Sequence, residues 1–297
     1  MNEEKITTEL KKWFVATRPW SIPASAAPLL VVCAWLYATH SDVRWVLAPI
    51  AFLSAVSFHL AGNLISDYFD FIYGVDTLET AGSRTLPDGI FRPRTLLYFG
   101  FTILCVASVL GLFLAYESDW KLLFFGIFGA VAVLFYYLIK FRGFGVFLIF
   151  VVFGPCIALG VEYTLTTKLS HAVLALSLPI GLLTTAILHA NDIRDMPHDR
   201  AAGIHTFALW IGLQAAKRVY RLLVLVPYLL IGVYVALGTI TPISLVVLAT
   251  LPFASSNIRF LNDSDKIQSL DRQTAKLQTA FSALLIASMC LASIVKL

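Results

Sequence analysis

Nine apolar runs, each about as long as a bilayer-crossing helix, recur along this 297-residue chain. They fall near 22–38, 45–66, 95–116, 120–139, 144–164, 172–190, 218–237, 241–260 and 276–295. At about 1.5 Å of rise per residue, some 20 residues cover the hydrocarbon core of a membrane. Pro155, Pro179, Pro227 and Pro252 lie inside these runs. Membrane helices tolerate such prolines because neighbouring groups satisfy the freed carbonyls. Only 13% of residues are charged against 59% hydrophobic, about half the charge of a soluble domain. Such a chain cannot hide its apolar groups in one aqueous core, so lipid must be part of its solvent. The expected fold class is all-α: a polytopic membrane protein forming one membrane-embedded domain over 1–297, with no separate soluble domain.

The charges sort by side of the membrane. Of the 22 Lys and Arg, all but Arg44, Lys121, Lys168 and Lys296 fall on the side that carries the N-terminus. Cytoplasmic loops carry the excess of positive charge, so an odd number of spans with the N-terminus cytoplasmic and the C-terminus outside is expected. Residues 1–21 have no short apolar core followed by a small-residue cleavage site and do not read as a signal peptide. Trp13, Phe14 and Trp20 beside Lys11, Lys12 and Arg18 suggest an interfacial segment feeding the first span. Cys33, Cys105, Cys156 and Cys290 stand far apart in apolar stretches, without metal-ligand spacing, and read as small buried residues. Two links are long, 67–94 and 191–217, and both are expected on the cytoplasmic side, where long loops are often functional.

Both long links open with acidic clusters. The second run ends in Asn63-Leu-Ile-Ser-Asp67-Tyr-Phe-Asp70, then Gly74-Val75-Asp76. The sixth ends in His189-Ala-Asn191-Asp192-Ile-Arg194-Asp195-Met-Pro-His198-Asp199-Arg200. On a helix, 63, 67 and 70 share one face, as do 192, 195 and 199. Pro197 is expected to break or restart the second helix before Asp199. Clustered carboxylates at a membrane helix end repel one another unless something positive neutralises them. Mg²⁺ does so with oxygen ligands and shares them with substrate phosphates. Two clusters in matching positions, with Asn63 and Asn191 128 residues apart, therefore suggest a Mg²⁺–diphosphate cage. They also suggest two related four-helix halves with a ninth helix added. Asp67, Asp70, Asp195 and Asp199 are the foremost metal and catalytic candidates, and Asn63, Asn191 and Asp192 follow. Asp76 is a further ligand or a loop cap. Among nearby basic residues, including Arg142 and Arg200, the candidate diphosphate contacts are Arg84, Lys140 and Arg194, each with a competing role in positive-inside topology.

Other polar residues weigh less. His59 reads as a packed histidine, and so does His189, with orientation of a carboxylate as the alternative role for His189. Tyr68, Tyr136, Tyr137 and Trp210 read as core or lipid-facing rings, one or two of which can cradle a cation. A transporter with acidic gates would place ionisable residues deep in the spans, where Glu162 is the main acid. A non-catalytic quinone or lipid binder would not need two acidic sets. No nucleic-acid partner is expected.

At these residues the chain resembles the UbiA superfamily of intramembrane aromatic prenyltransferases. NLISDYFDFIYGVD and HANDIRDMPHDRAAGIHT resemble that family's motifs after its second and sixth helices. The Arg84-Thr85-Leu86 that follows the first, and the opening Arg18-Pro19-Trp20-Ser21-Ile22-Pro23-Ala24-Ser25, resemble its menaquinone branch. The chain departs from that branch at Val146, where an acid often follows Gly-x-Gly, and at Tyr73, where a base is common. The resemblance implies nine helices around a central cavity roofed by the two acidic loops. It implies a polyprenyl diphosphate held through Mg²⁺, with its tail in an apolar groove open to lipid. The implied acceptor is 1,4-dihydroxy-2-naphthoate, with 4-hydroxybenzoate or homogentisate types as alternatives.

Overall fold

The computed structural model describes residues 3–39, 42–79 and 83–295, with side chains from residue 10 onward. Among these residues every regular element is helical. Nine helices are long and apolar enough to cross a membrane: Leu10–Thr39, Trp45–Ile72, Pro93–Glu117, Trp120–Lys140, Gly145–Thr166, His171–Ala201, Leu213–Ala236, Pro242–Phe260 and Lys266–Val295. Each matches one apolar run. Residue 296, assigned to the outer side by the charge sorting, lies outside the described residues.

The α-helices are α1 (Glu3–Ala16), α2 (Ile22–Thr39), α3 (Ala48–Ile72), α4 (Pro93–Glu117), α5 (Leu123–Lys140), α6 (Gly145–Val151), α7 (Ile157–Thr166), α8 (His171–Ala201), α9 (Phe207–Ile211), α10 (Leu213–Ala236), α11 (Leu251–Phe260) and α12 (Leu270–Val295), with α9 in the link between the sixth and seventh spans. The first span turns between α1 and α2 at Arg18, which adopts φ 55°. That left-handed conformation is uncommon outside glycine. Between α6 and α7, Val152–Cys156 forms one turn of π-helix around Pro155, as expected where proline interrupts the hydrogen-bond ladder. The same turn brings Gly154 against Gly181 of α8, where a Cβ added at Gly181 would lie 3.0 Å from the Gly154 Cα. Small residues permit this close crossing of membrane helices.

Two expectations change. The second and sixth helices extend well into the expected links, α3 through Asp70 to Ile72 and α8 through Asp199 to Ala201, so of the clustered carboxylates Asp76 alone stands in a loop. Nor does Pro197 break α8, which continues in α-conformation on both sides of it. The connecting loops are correspondingly shorter, 73–92 and 202–206.

Core packing is uneven, and this creates the cavity. The largest buried apolar cluster joins α2, α8, α10 and α12 through Leu183, Tyr220, Ile231, Phe281 and Leu285. A second cluster ties α2, α4 and α7 together near Leu36, Leu114 and Leu165. By contrast, Ala132 is the single described residue of α5 that is buried. One face of α5 looks onto the cavity, and exposed side chains such as Phe124 and Phe135 line the other. Such an outer band is what lipid contact requires.

Candidate active site

A cavity of about 1420 Å³ runs between the α3–α5 side and the α8–α12 side. Its acidic end is lined by Asp70 and Asp76 from one cluster and by Asp192, Asp195 and Asp199 from the other. Its apolar end is lined by Ala51, Leu114, Leu122 and Val161. On α3 alone, 19 residues separate Asp70 from Ala51, about 28 Å of helix. The cavity thus traverses most of a membrane thickness.

Protein cations already compensate the acidic end. Lys140, at the last turn of α5, donates to both Asp70 carboxylate oxygens, at 3.1 and 2.9 Å, and Ser66 donates to Asp70 at 3.2 Å. Lys140 lines the same cavity as Asp192 and Asp199 of α8. Arg194 grips the neighbouring Asp195 with two bonds of 2.7 Å. Its remaining arm meets Asp271 of α12 at 2.9 Å. Asp67 pairs with the Arg18 guanidinium, which the left-handed turn at Arg18 allows to reach α3. Asn63 holds the same N-terminal turn by donating to the Thr17 carbonyl at 3.3 Å and to the Ser21 hydroxyl at 3.0 Å.

The candidates therefore separate by position. Asp70, Asp195 and Asp199 line the cavity, as do Asn63, Asp76, Arg84, Lys140, Asn191, Asp192 and Arg194. Asp67 is buried outside the cavity wall, against Arg18. Arg84 is tied to Asp88 at 2.6 Å and to the Leu78 carbonyl. Arg142 and Arg200 are exposed and outside the wall. Asp76 stands just past α3, its carboxylate accepting from the Ser83 amide at 3.3 Å. Burial pushes the Asp76 carboxyl up to about 7. Asp70 adds to this rise, Arg18 opposes it, Asp67 adds again and Lys140 opposes it. Asp199 accepts from Thr206 at 3.3 Å. His189 is fixed by the Ala216 carbonyl at 3.0 Å and makes no recorded bond to a carboxylate. His59 contacts Ser25 at 3.1 Å and stands edge-on to Phe153, as a packed histidine does.

Four further charged wall residues stand outside the site candidates read from sequence: Arg18, Asp271, Arg272 and Lys276. Arg18 reads from sequence as an interfacial anchor. The other three sit at the start of the ninth apolar run, where charges are ordinarily assigned to topology. The only available signal was Asp271, an acid in the first turn of a membrane helix.

The described residues hold no group of three His, Cys, Asp or Glu already gathered around a common point. The donor set nevertheless suits Mg²⁺. It consists of oxygens, including buried and unpartnered ones on the wall residues Asn191 and Asp271. Mg²⁺ characteristically takes one or two carboxylates and completes its shell with phosphate and water rather than an all-protein cage. The cavity can therefore hold an anionic head between two acidic walls and an extended apolar tail beyond it.

Comparison with known proteins places this geometry. The sequence profile of the UbiA prenyltransferase family matches residues 26–292. The Drosophila melanogaster UbiA prenyltransferase domain-containing protein 1 homolog is 34% identical over 297 aligned positions, covering 96% of this chain and 80% of its own. The fold matches that of a UbiA homolog from Aeropyrum pernix with a TM-score of 0.65 at 15% identity, over 90% of this chain and 98% of that one. It also matches a UbiA homolog from Archaeoglobus fulgidus solved with GPP and Mg²⁺, with a TM-score of 0.62 at 15% identity over 93% and 99% of the two chains. This integral membrane protein belongs to the UbiA prenyltransferase family.

Proposed function

We propose that the protein transfers a polyprenyl group from its diphosphate to an aromatic quinone precursor, with Mg²⁺ as cofactor and 1,4-dihydroxy-2-naphthoate as the acceptor. The observation that carries this reading is the cavity's polarity, with two acidic walls at one end and an apolar channel at the other. The A. fulgidus relative solved with GPP and Mg²⁺ supports the donor class and the metal. The naphthoate assignment rests on the sequence motifs of the menaquinone branch. The acidic end is assigned to the cytoplasmic side from the charge sorting, and the whole chain, 1–297, to one domain.

Mg²⁺ held by Asp70, Asp195 and Asp199, with Asn63, Asn191 and Asp192 adjoining, would supply charge to the departing diphosphate. The chain's own residues do the rest. Lys140, standing between the clusters, and Arg194 present cations to the phosphate oxygens as the allylic C–O bond breaks and its electron pair leaves with the diphosphate. Asp67 acts at one remove, by holding Arg18 at the cavity edge. An electron-rich ring carbon then attacks the allylic carbon, and the ring sheds a proton to restore aromaticity. The apolar wall keeps water from capturing the cation. A transporter reading gains nothing here, because the acids gather at one end rather than along a pathway. Mass analysis of the lipid formed by purified protein from a four-isoprene diphosphate and a panel of naphthoate, benzoate and homogentisate acceptors tests the assignment. A prenylated naphthoate product is expected, and prenylation of a benzoate alone would move the protein to another branch.

A further inference from the structure

The cavity wall contains a side-chain amide that the fold leaves unpaired. Gln278 of α12 is fully buried, and neither its oxygen nor its nitrogen has a hydrogen-bond partner. It sits between Leu277 and Thr279, one turn before the buried Phe281. A buried amide without partners bears its whole desolvation cost, whereas an apolar side chain of the same size would bear none. Asn191 of α8 also lines the cavity and has an unpartnered buried oxygen.

The Arg194–Asp271 pair sets where these residues stand. It fixes α8 and α12 side by side and antiparallel at the acidic end. Gln278 is seven residues down α12 from Asp271, about 10 Å below the carboxylates. The same descent along α8 from Asp195 arrives at Leu188, with Asn191 about one turn above and Thr184 about one turn below. All four residues belong to the cavity wall. Thr184 spends its hydroxyl proton on the Ile180 carbonyl at 3.0 Å, so it faces the cavity as an acceptor. These residues line the α8–α12 side of the cavity, across from the walls contributed by α3, α4 and α5. They lie directly beneath the acidic end, where the allylic carbon of a bound diphosphate would be.

We infer that Gln278 binds the acceptor substrate, its amide exchanging two hydrogen bonds with a phenolic hydroxyl of a hydroxy-aromatic ring. A phenol both donates and accepts, and so does a carboxamide. A carboxylate would engage only the amide N–H groups and leave the Gln278 oxygen unpaired. Asn191 and Thr184 offer further polar contacts above and below the ring. The assignment rests on the prenyl-transfer reading for its ligand class, but it is tested by binding alone.

The test measures equilibrium binding of 1,4-naphthohydroquinone and of its dimethyl ether to detergent-purified protein. It uses the wild type and Gln278→Met, with Mg²⁺ and a non-hydrolysable four-isoprene diphosphate present throughout. The wild type should bind the hydroquinone at least tenfold more tightly than the ether, and Gln278→Met should bind both alike. The diphosphate affinity of the variant should stay within about twofold of wild type, and its melting temperature should be equal or higher, since an unpaired amide has been removed. Equal hydroquinone binding by the two proteins overturns the inference and assigns the Gln278 partners to buried water. No hydroquinone binding by the wild type also overturns it. If Gln278→Met does not fold, the wild-type comparison of hydroquinone with ether decides alone, equal affinities overturning the inference. Gln278-dependent binding here, together with no prenylated product when the wild type is given a hydrolysable four-isoprene diphosphate in its place, would instead sink the transferase reading and leave the binding site standing.

Discussion

The apolar arm of the cavity should act as a ruler for the donor tail, and two glycines of α5 set its marks. Gly126 and Gly129 line the cavity, and a Cβ added at either meets no atom within 4 Å. Leucine at either position would therefore project into the channel instead of displacing protein. Gly129 lies 11 residues from Lys140 and Gly126 lies 14, about 16 Å and 21 Å down the helix. An extended isoprene unit adds four carbon–carbon bonds of about 1.5 Å, or roughly 5 Å along the chain. A two-isoprene tail hung from the Lys140 level ends about 10 Å down, short of both positions. A four-isoprene tail reaches about 20 Å, past Gly129 and to the level of Gly126. Because an evicted tail finds lipid as apolar as the channel, the loss is steric rather than hydrophobic. An overpacked contact costs about 1–3 kcal/mol, or roughly fivefold to 150-fold in affinity. Gly129→Leu should therefore raise the KM of a four-isoprene donor by roughly that factor, and Gly126→Leu by less, since it meets only the tip. Both should turn over a two-isoprene donor as wild type does. Steady-state kinetics with the two donors at saturating acceptor measures this, and equal losses on both would refute the ruler.

Three further outcomes follow from the acidic end. Lys140→Met leaves the buried Asp70 carboxylate uncompensated, which should destabilise the protein by about 3–5 kcal/mol. Lys140→Met combined with Asp70→Asn should regain stability in detergent melts without regaining turnover, and recovered turnover would remove Lys140 from the chemistry. Asp76 titrates near 7 when folded, well above an unfolded aspartate at about 3.9. Its contribution to stability is therefore complete below about pH 4 and is lost as pH rises towards 7. Asp76→Asn should flatten that fall in melting temperature, and an unchanged slope would contradict the burial of this carboxyl. Cysteines placed in the 73–92 and 202–206 loops, in a background free of the native four, should resist an impermeant thiol reagent added outside intact cells. Labelling from outside would reverse the orientation.

Much of this architecture is legible in the chain because hydrophobic length is a local property. Nine apolar runs became nine spans, and the asparagine–aspartate motifs marked both acidic walls. What escapes sequence reading is pairing across distance. Arg18 meets Asp67 over 49 residues and Lys140 meets Asp70 over 70, and nothing in the local spacing distinguishes these cations from topological ones. Asp67 and Asp70 share one helical face in the spacing argument, yet Arg18 takes the first and the cavity takes the second. Pro197 was misjudged because the rule that proline breaks helices holds for helices without neighbours, whereas α8 is packed against α10 and α12. Gln278 left no signal, since a lone amide near Thr274, Lys276 and Thr279 has no motif, and only its burial without a partner singles it out.

The central claim is that Mg²⁺ and the two carboxylate walls together drive departure of the diphosphate from a prenyl donor. It is tested most directly by single-turnover release of labelled diphosphate from a four-isoprene donor and a naphthoate acceptor, using wild type, Asp70→Asn and Asp195→Asn with Mg²⁺ or chelator. The account predicts stoichiometric release and a prenylated naphthoate from wild type with Mg²⁺, none with chelator, and a rate at least 100-fold lower in either variant, the scale of losing one preorganised electrostatic contact. Release that persists in chelator, or at the wild-type rate in both variants, would contradict it.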